Sequence, residues 1–293
     1  MRLSVVIPCR NEAANIGVQL DRLAEQSWSE PWEIVVADNG STDATVAIVR
    51  SYQEKLDNLR VADASSRIGV NHARNVGAAA ARGEFIAFCD ADDEVQPGWL
   101  AAMGDALRAH DLVAGRIDSS TLNEPWSAAL RGAAQSDAPA RFGKHSYAHG
   151  ANLGVRRALH ERVGGFDEEF VGGGDDVDYS WRLRQLGVEP HFEPRAVVAY
   201  RFRSDYRSMF RQARFYGVGA VTLYRKHRHE GLPVQRHPWL LGALTWLGLF
   251  KSLPLPPSKR ALATFAWRLG WKVGMLEGSI RNRVLLLSIR GII

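Results

Sequence analysis

Only two cysteines, Cys9 and Cys89, occur in the 293 residues. Two thiols make no disulfide framework, and their spacing matches no metal-ligand pattern. Each ends an apolar run, which places both as small buried thiols in a reducing compartment. No run reaches the roughly 18 consecutive apolar residues that a membrane-spanning helix needs. The opening MRLSVVIPCRNE lacks a charged segment followed by a long apolar one. It reads as an immediate strand, and a cytoplasmic protein is expected. Internal repeats and low-complexity tracts are also lacking. What is present is an ordinary apolar fraction, 46%, which excludes global disorder. The length suits one large domain or two modest ones.

The net charge of +5 conceals an asymmetry. Residues 195–293 hold 18 Lys/Arg and 3 Asp/Glu, a net of +15, whereas residues 1–194 hold 19 and 29, a net of −10. An acidic body with a basic tail implies that the tail meets something anionic. Residues 206–229 read as a basic amphipathic helix, and Trp239, Trp246, Trp267 and Trp271 add aromatics. This mixture suits an anionic membrane surface, with the acidic body peripheral on its cytoplasmic face. The same stripes could equally pack on the body or form an oligomer. Bulky apolar runs such as Trp239–Phe250 argue against nucleic acid as the partner.

Short apolar runs alternate with helical patterns through the first half. Leu3–Ile7, Glu33–Ala37, Leu59–Ala62 and Glu84–Cys89 read as strands, the first closed by Pro8. Residues 15–26, 44–56, 70–81 and 97–108 read as helices, the second capped by Ser41 or Thr42 and the third stopped by Gly83. Such alternation predicts βαβ units, a mostly parallel sheet and ligands outside the carboxyl ends of the strands. Arg10-Asn11-Glu12, Asp38-Asn39-Gly40-Ser41 and Asp90-Ala91-Asp92 all fall at such ends. After Ala114 the rhythm changes. Residues 119–148 read as an irregular loop or lid, a helix is expected over Val177–Leu186, and a short last strand over Val197–Tyr200.

Asp90-Ala91-Asp92-Asp93 offers carboxylates to a hard divalent cation such as Mg²⁺ or Mn²⁺, the kind that offsets charge on a leaving diphosphate. Alone the motif is weak, because acidic turns are common. Asp38 could accept a hydrogen bond from a base N–H or simply form the turn. Asp175-Asp176-Val177-Asp178 follows Gly172-Gly173-Gly174. One or two acids would complement a helix dipole, but three in four residues exceed that need. Crowded like charges raise a carboxyl pKa toward the range of a general base. His149, beside Gly150, is a lesser candidate, and His191 reads as structural.

Taken in order, SVVIPCRNE, VVADNGSTD, ARNVGAAAARGEFIAFCDADD and GGFDEEFVGGGDDVDYSWRLRQLG resemble a family 2 glycosyltransferase of the GT-A fold over residues 3–203. The resemblance implies a Rossmann-like, mostly parallel sheet flanked by helices, followed here by a helical basic C-terminal extension. Three regions follow from it: 1–115 for the nucleotide-sugar, 116–225 for acceptor and catalysis, and 226–293 as the extension. It implies inversion by single displacement from a nucleotide-sugar, UDP-linked by expectation, to a glycan or lipid-linked hydroxyl. Pro8, Arg10 and Glu12 match the first nucleotide loop, Asp38 the base-reading acid and Arg67 the loop flanking the base. Asp90 and Ala91 match the ribose-facing end of the acidic motif, and Asp92 matches the metal ligand. Gly150, Ala151 and Asn152 match the loop lining donor sugar and acceptor. Asp175 and Asp176 match the family's Glu-Asp pair, with Asp176 as the catalytic base. A downstream histidine that many members use on the metal is missing; Arg201 and Arg203 stand nearby and suit a diphosphate. Two other readings stay open. One is a polyprenyl-phosphate glycosyltransferase, for which Asp176 would matter less, and the other is a non-catalytic sugar-binding module.

Overall fold

The computed structural model describes residues 1–131, 134–230, 249 and 258–284. Trp239, Trp246 and most of Trp239–Phe250 lie outside them. The described residues form ten strands. β1 (Leu3–Cys9), β2 (Trp32–Asp38), β3 (Leu59–Asp63) and β4 (Phe85–Cys89) are the expected parallel strands. β5 (Glu94–Val95), β6 (Leu112–Asp118), β9 (Asn152–Arg156) and β10 (His191–Ala199) complete an eight-stranded sheet ordered β3-β2-β1-β4-β9-β6-β10-β5. β9 runs antiparallel between β4 and β6, and β5 is antiparallel to β10. One sheet therefore crosses the boundary expected at residue 115. β7 (Ala140–Phe142) and β8 (His145–Tyr147) form a separate hairpin.

The helices are α1 (Ile16–Ala24), α2 (Thr45–Tyr52), α3 (Val70–Ala80), α4 (Trp99–Ala109), α5 (Pro125–Arg131), α6 (Arg157–Arg162), α7 (Asp175–Gln185), α8 (Tyr206–His227) and α9 (Lys259–Asn282). Both faces of the sheet are covered, so the central strands are largely apolar rather than alternating. Val5 and Ile7 of β1 pack with Leu20, Leu23, Trp99 and Met103 on one face. Val6 packs with Ala78, Phe88, Phe166 and Tyr179 on the other.

Several local expectations are corrected. Pro8 does not close β1 but lies within it, opposite Ala37. The Asn39 N–H donates to the Cys9 carbonyl, so alternation turns the donor-less Pro8 nitrogen toward β4, where pairing has ended at Val6↔Phe88. Ser41 does not cap α2; its hydroxyl accepts the Asn11 N–H at 3.0 Å, and the Thr45 N–H goes to Asp43. Gly83 does not end α3. A Cβ there would lie 2.6 Å from the Ser4 nitrogen, so glycine is required for the close pass beside β1. α7 starts at Asp175 rather than Val177. The last strand starts at His191, and Pro194 falls where its pairing with β6 breaks between Glu193 and Val197. Residues 119–148, read as irregular, hold α5 and the hairpin. Gln135 ties this insert down, donating to the Gly115 carbonyl at 2.6 Å and accepting the His149 N–H at 2.7 Å.

Candidate active site

The strand ends open onto a cleft of about 610 Å³. Glu12, Asp90, Asp92, Gly150, Asp175 and Asp176 line it together, with Arg74, His149, Tyr200 and Arg203. The first and second loops are cross-tied before they reach it. Asn11 adopts a left-handed φ of 55°, and its side-chain oxygen accepts the Thr42 N–H at 2.8 Å. The Glu12 N–H donates to the Thr45 hydroxyl at 2.8 Å. Asp38, half-buried at the end of β2, accepts the Ser41 N–H at 3.2 Å. Asn39, buried beside it, organises the next loop by donating to the Ala64 and Arg67 carbonyls and accepting the Gly69 N–H. Arg67 is exposed and pairs with Glu168 at 3.0 Å. Arg10 is exposed, and Pro8 is buried in the sheet.

Arg74, which the sequence reading passed over, joins the two acidic motifs. It is 5% exposed on α3. Its guanidinium donates to Asp175 Oδ2 at 2.8 Å and to Asp90 Oδ1 at 3.2 Å, and it lies over the Phe166 ring. A buried cation needs such partners, because an unpaired one would carry the full desolvation cost. A Cβ on Gly150 would press on this guanidinium, which explains the glycine. The available signal was an arginine one turn into an Ala-rich helix that starts at the sheet edge.

Asp175 and Asp176 open α7 behind Gly172 and Gly174, whose φ values of 104° and 79° favour glycine. Burial and the like charge of Asp176 push the Asp175 carboxyl up to about 6, against the pull of Arg74. Asp176 accepts the Gly150 N–H at 3.2 Å, which fastens it to the predicted substrate loop. Asp178, the third acid, turns away. It is fully buried against Arg182, Lys226 and His227, at 2.7, 2.7 and 2.9 Å. Asn152 also turns inward. Its side chain accepts from Trp99 and donates to the Arg116 and Ala196 carbonyls, binding α4, β6 and β10. Ala91 and Ala151 are buried. His149 stands edge-on to Tyr200, and His191 stacks on His110 with ring centroids 3.5 Å apart.

The residues present fit a divalent cation. Asp90, Asp92 and Asp93 can place ligand oxygens within 4.8 Å of one another. Burial and crowded charge raise the pKa of both Asp92 and Asp93, a repulsion that a cation relieves. Asp93 Oδ2 is buried with no hydrogen-bond partner among the described residues. All donors are carboxylates, which suits Mg²⁺ or Mn²⁺.

The chain matches the model of glycosyl transferase family 2 over residues 4–164, and that of glycosyl transferase family group 2 over residues 85–287. Glycosyltransferase AglE of Haloferax volcanii is 31% identical over 259 residues, covering 87% of this chain and 82% of AglE. Pre-mycofactocin glycosyltransferase of Mycobacterium tuberculosis is 31% identical over 270 residues, 86% of this chain, but the chain spans only 55% of that protein. Among solved structures, a mannosyltransferase of Pyrobaculum calidifontis in complex with GDP-Man and Mn²⁺ superposes with a TM-score of 0.61 at 23% identity. It covers 96% of this chain and 87% of its own, and shares the expected GT-A arrangement. With a family model over more than half its length and a relative matched over most of both chains, the chain belongs to glycosyl transferase family 2.

Proposed function

We propose that the protein is an inverting glycosyltransferase that moves a sugar from a nucleotide-sugar, UDP-linked in our reading, to an acceptor hydroxyl. One observation carries the proposal. Asp90 and Asp92 share a cleft with Asp175 and Asp176, and buried Arg74 bridges the two pairs. A diphosphate and an acceptor could thus meet in one site at fixed spacing. The relatives' names support glycosyl transfer, and structural neighbours are in complex with GDP-Man and Mn²⁺ or with UDP-GlcNAc.

Asp38 accepts from the base, with Arg67 flanking it and Arg10 and Glu12 of the loop after β1 facing the nucleotide, while Pro8 only holds the end of the strand beneath them. Asp90, beside Ala91, faces the ribose. Asp92, aided by Asp93, would hold the metal, which when bound offsets charge on the departing diphosphate. Asp176 takes the proton from the acceptor hydroxyl as that oxygen attacks the anomeric carbon. Arg74 holds Asp175 and Asp90 in register. Gly150 and Ala151 border the donor sugar. Asn152 acts through the strand packing beneath them. The acceptor is a glycan or lipid-linked molecule of the cell envelope. The basic C-terminal region brings the enzyme to an anionic membrane surface, peripherally and from the cytoplasmic side. Among the described residues, no helix is long and apolar enough to cross a membrane.

The test is Asp176→Asn, assayed with a panel of sugar nucleotides with and without Mn²⁺. Transfer should fall by roughly 10²- to 10⁴-fold, the usual worth of a general base, with donor affinity little changed. Undiminished turnover would remove Asp176 from its assigned role and favour an acceptor, such as a phosphate, that needs no base.

A further inference from the structure

The segment after β10 is pinned residue by residue. The Tyr200 N–H donates to the Asp118 carbonyl at 2.8 Å. Asn123 donates to the Tyr200 carbonyl and accepts the Phe202 N–H, at 2.6 and 2.8 Å. Arg201 is tied in three places: its backbone N–H goes to Asp93, its Nε to the Asp92 carbonyl at 2.9 Å, and its Nη2 to Glu94 at 3.2 Å. The chain then delivers Arg203 to the cleft, with Nη1 2.8 Å from Asp92 Oδ2. The Arg203 side chain is 46% exposed and Asp92 13%.

A guanidinium therefore sits on one oxygen of the carboxylate that the metal reading assigns to a divalent cation. The two compete for it, because both are positive and each is held by the same carboxylate charge. The geometry points to Arg203 as an exchangeable counter-cation, an inference that rests on the metal reading above. In the donor-free protein Arg203 neutralises Asp92 and suppresses metal binding. When metal and nucleotide diphosphate arrive together, the metal takes Asp92 and the released guanidinium turns to the diphosphate, a partner it matches in charge and planar geometry. Its half-exposed, unbranched side chain can make that move, whereas the three ties on Arg201 hold it in place. Metal and nucleotide then bind cooperatively, each weakly without the other, and the coupling is reciprocal.

The experiment is Mn²⁺ binding by electron paramagnetic resonance, with and without UDP, on the whole chain. Wild type, Arg203→Gln and Arg203→Lys are compared, with circular dichroism to verify folding. In R203Q, affinity for Mn²⁺ alone should rise roughly tenfold and affinity for UDP in the presence of Mn²⁺ should fall roughly tenfold, the scale expected for removing one charge-assisted contact. R203K keeps the charge, so it should restore the suppression of Mn²⁺ binding while regaining only part of the UDP affinity. Equal nucleotide-free Mn²⁺ affinity in wild type and R203Q would overturn the inference and leave the metal reading standing. Absence of Mn²⁺ binding in every variant, with or without UDP, would overturn the metal reading itself.

Discussion

At Asp175, burial and a neighbouring like charge outweigh the paired cation Arg74. The Asp175 carboxyl is 6% exposed and pushed up to about 6, first by burial and then by Asp176. An acid whose folded pKa is raised favours the protonated folded state. The resulting cost is absent below about pH 4, the unfolded value, grows as pH rises and is complete above about 6. Relative to Asp175→Asn, wild-type stability should therefore decline by about 3 kcal/mol between those limits, in urea denaturation measured across pH. Parallel pH profiles for the two proteins would show that Asp175 titrates as it does in the unfolded chain. The motif residues themselves were legible because strand-end acids and glycine punctuation leave marks in the sequence. Arg74 was not, because its value comes from two carboxylates, one of them 101 residues away.

At the scale of elements, α8 and α9 pack backbone to backbone. A Cβ on Gly274 would fall on the Arg214 carbonyl oxygen, and one on Gly270 on that of Phe210. Gly219 of α8 plays a different part. Its missing Cβ would fall on the Gly173 carbonyl oxygen, in the loop that launches α7. Helix α8 thus braces the loop that aims Asp175 and Asp176. Gly219→Ala must shift that loop, since neither backbone has a flexible end to yield. It should lower kcat roughly tenfold or more while leaving nucleotide affinity within about twofold, because Asp38 and Asp90 lie on other elements. Calorimetry with UDP beside a turnover assay separates the two. An equal loss in both would mean that the helix pair supports the whole fold rather than the α7 loop. The amphipathic pattern announced α8, but the line of its contact with the catalytic loop depends on glycines whose partners lie far away in sequence.

The whole molecule is polarised, with −10 over residues 1–194 and +15 over residues 195–293. In the proposed orientation this steers the basic region to an anionic bilayer and keeps the acidic body off it. Cosedimentation with phosphatidylserine-containing vesicles should be clear at low salt and largely lost by about 0.5 M NaCl, as the screening length shortens below about 5 Å. Vesicles of neutral lipid should not bind. Binding that ignores both salt and lipid charge would instead point to apolar insertion, and no binding at all would leave the basic region to oligomer contacts or to packing on the body.

Local pattern in the sequence determined the parallel first half of the sheet, the polar clusters at its strand ends and the family, because period, turn residues and short motifs are properties of neighbouring positions. Tertiary structure decided what those patterns could not. It placed β9 antiparallel between β4 and β6, turned Asn152 and Asp178 into the packing, joined Asp90 to Asp175 through Arg74, and set Arg203 on Asp92. Each of these depends on contacts between distant segments, where burial makes a charge or an amide bind whichever partner the fold delivers.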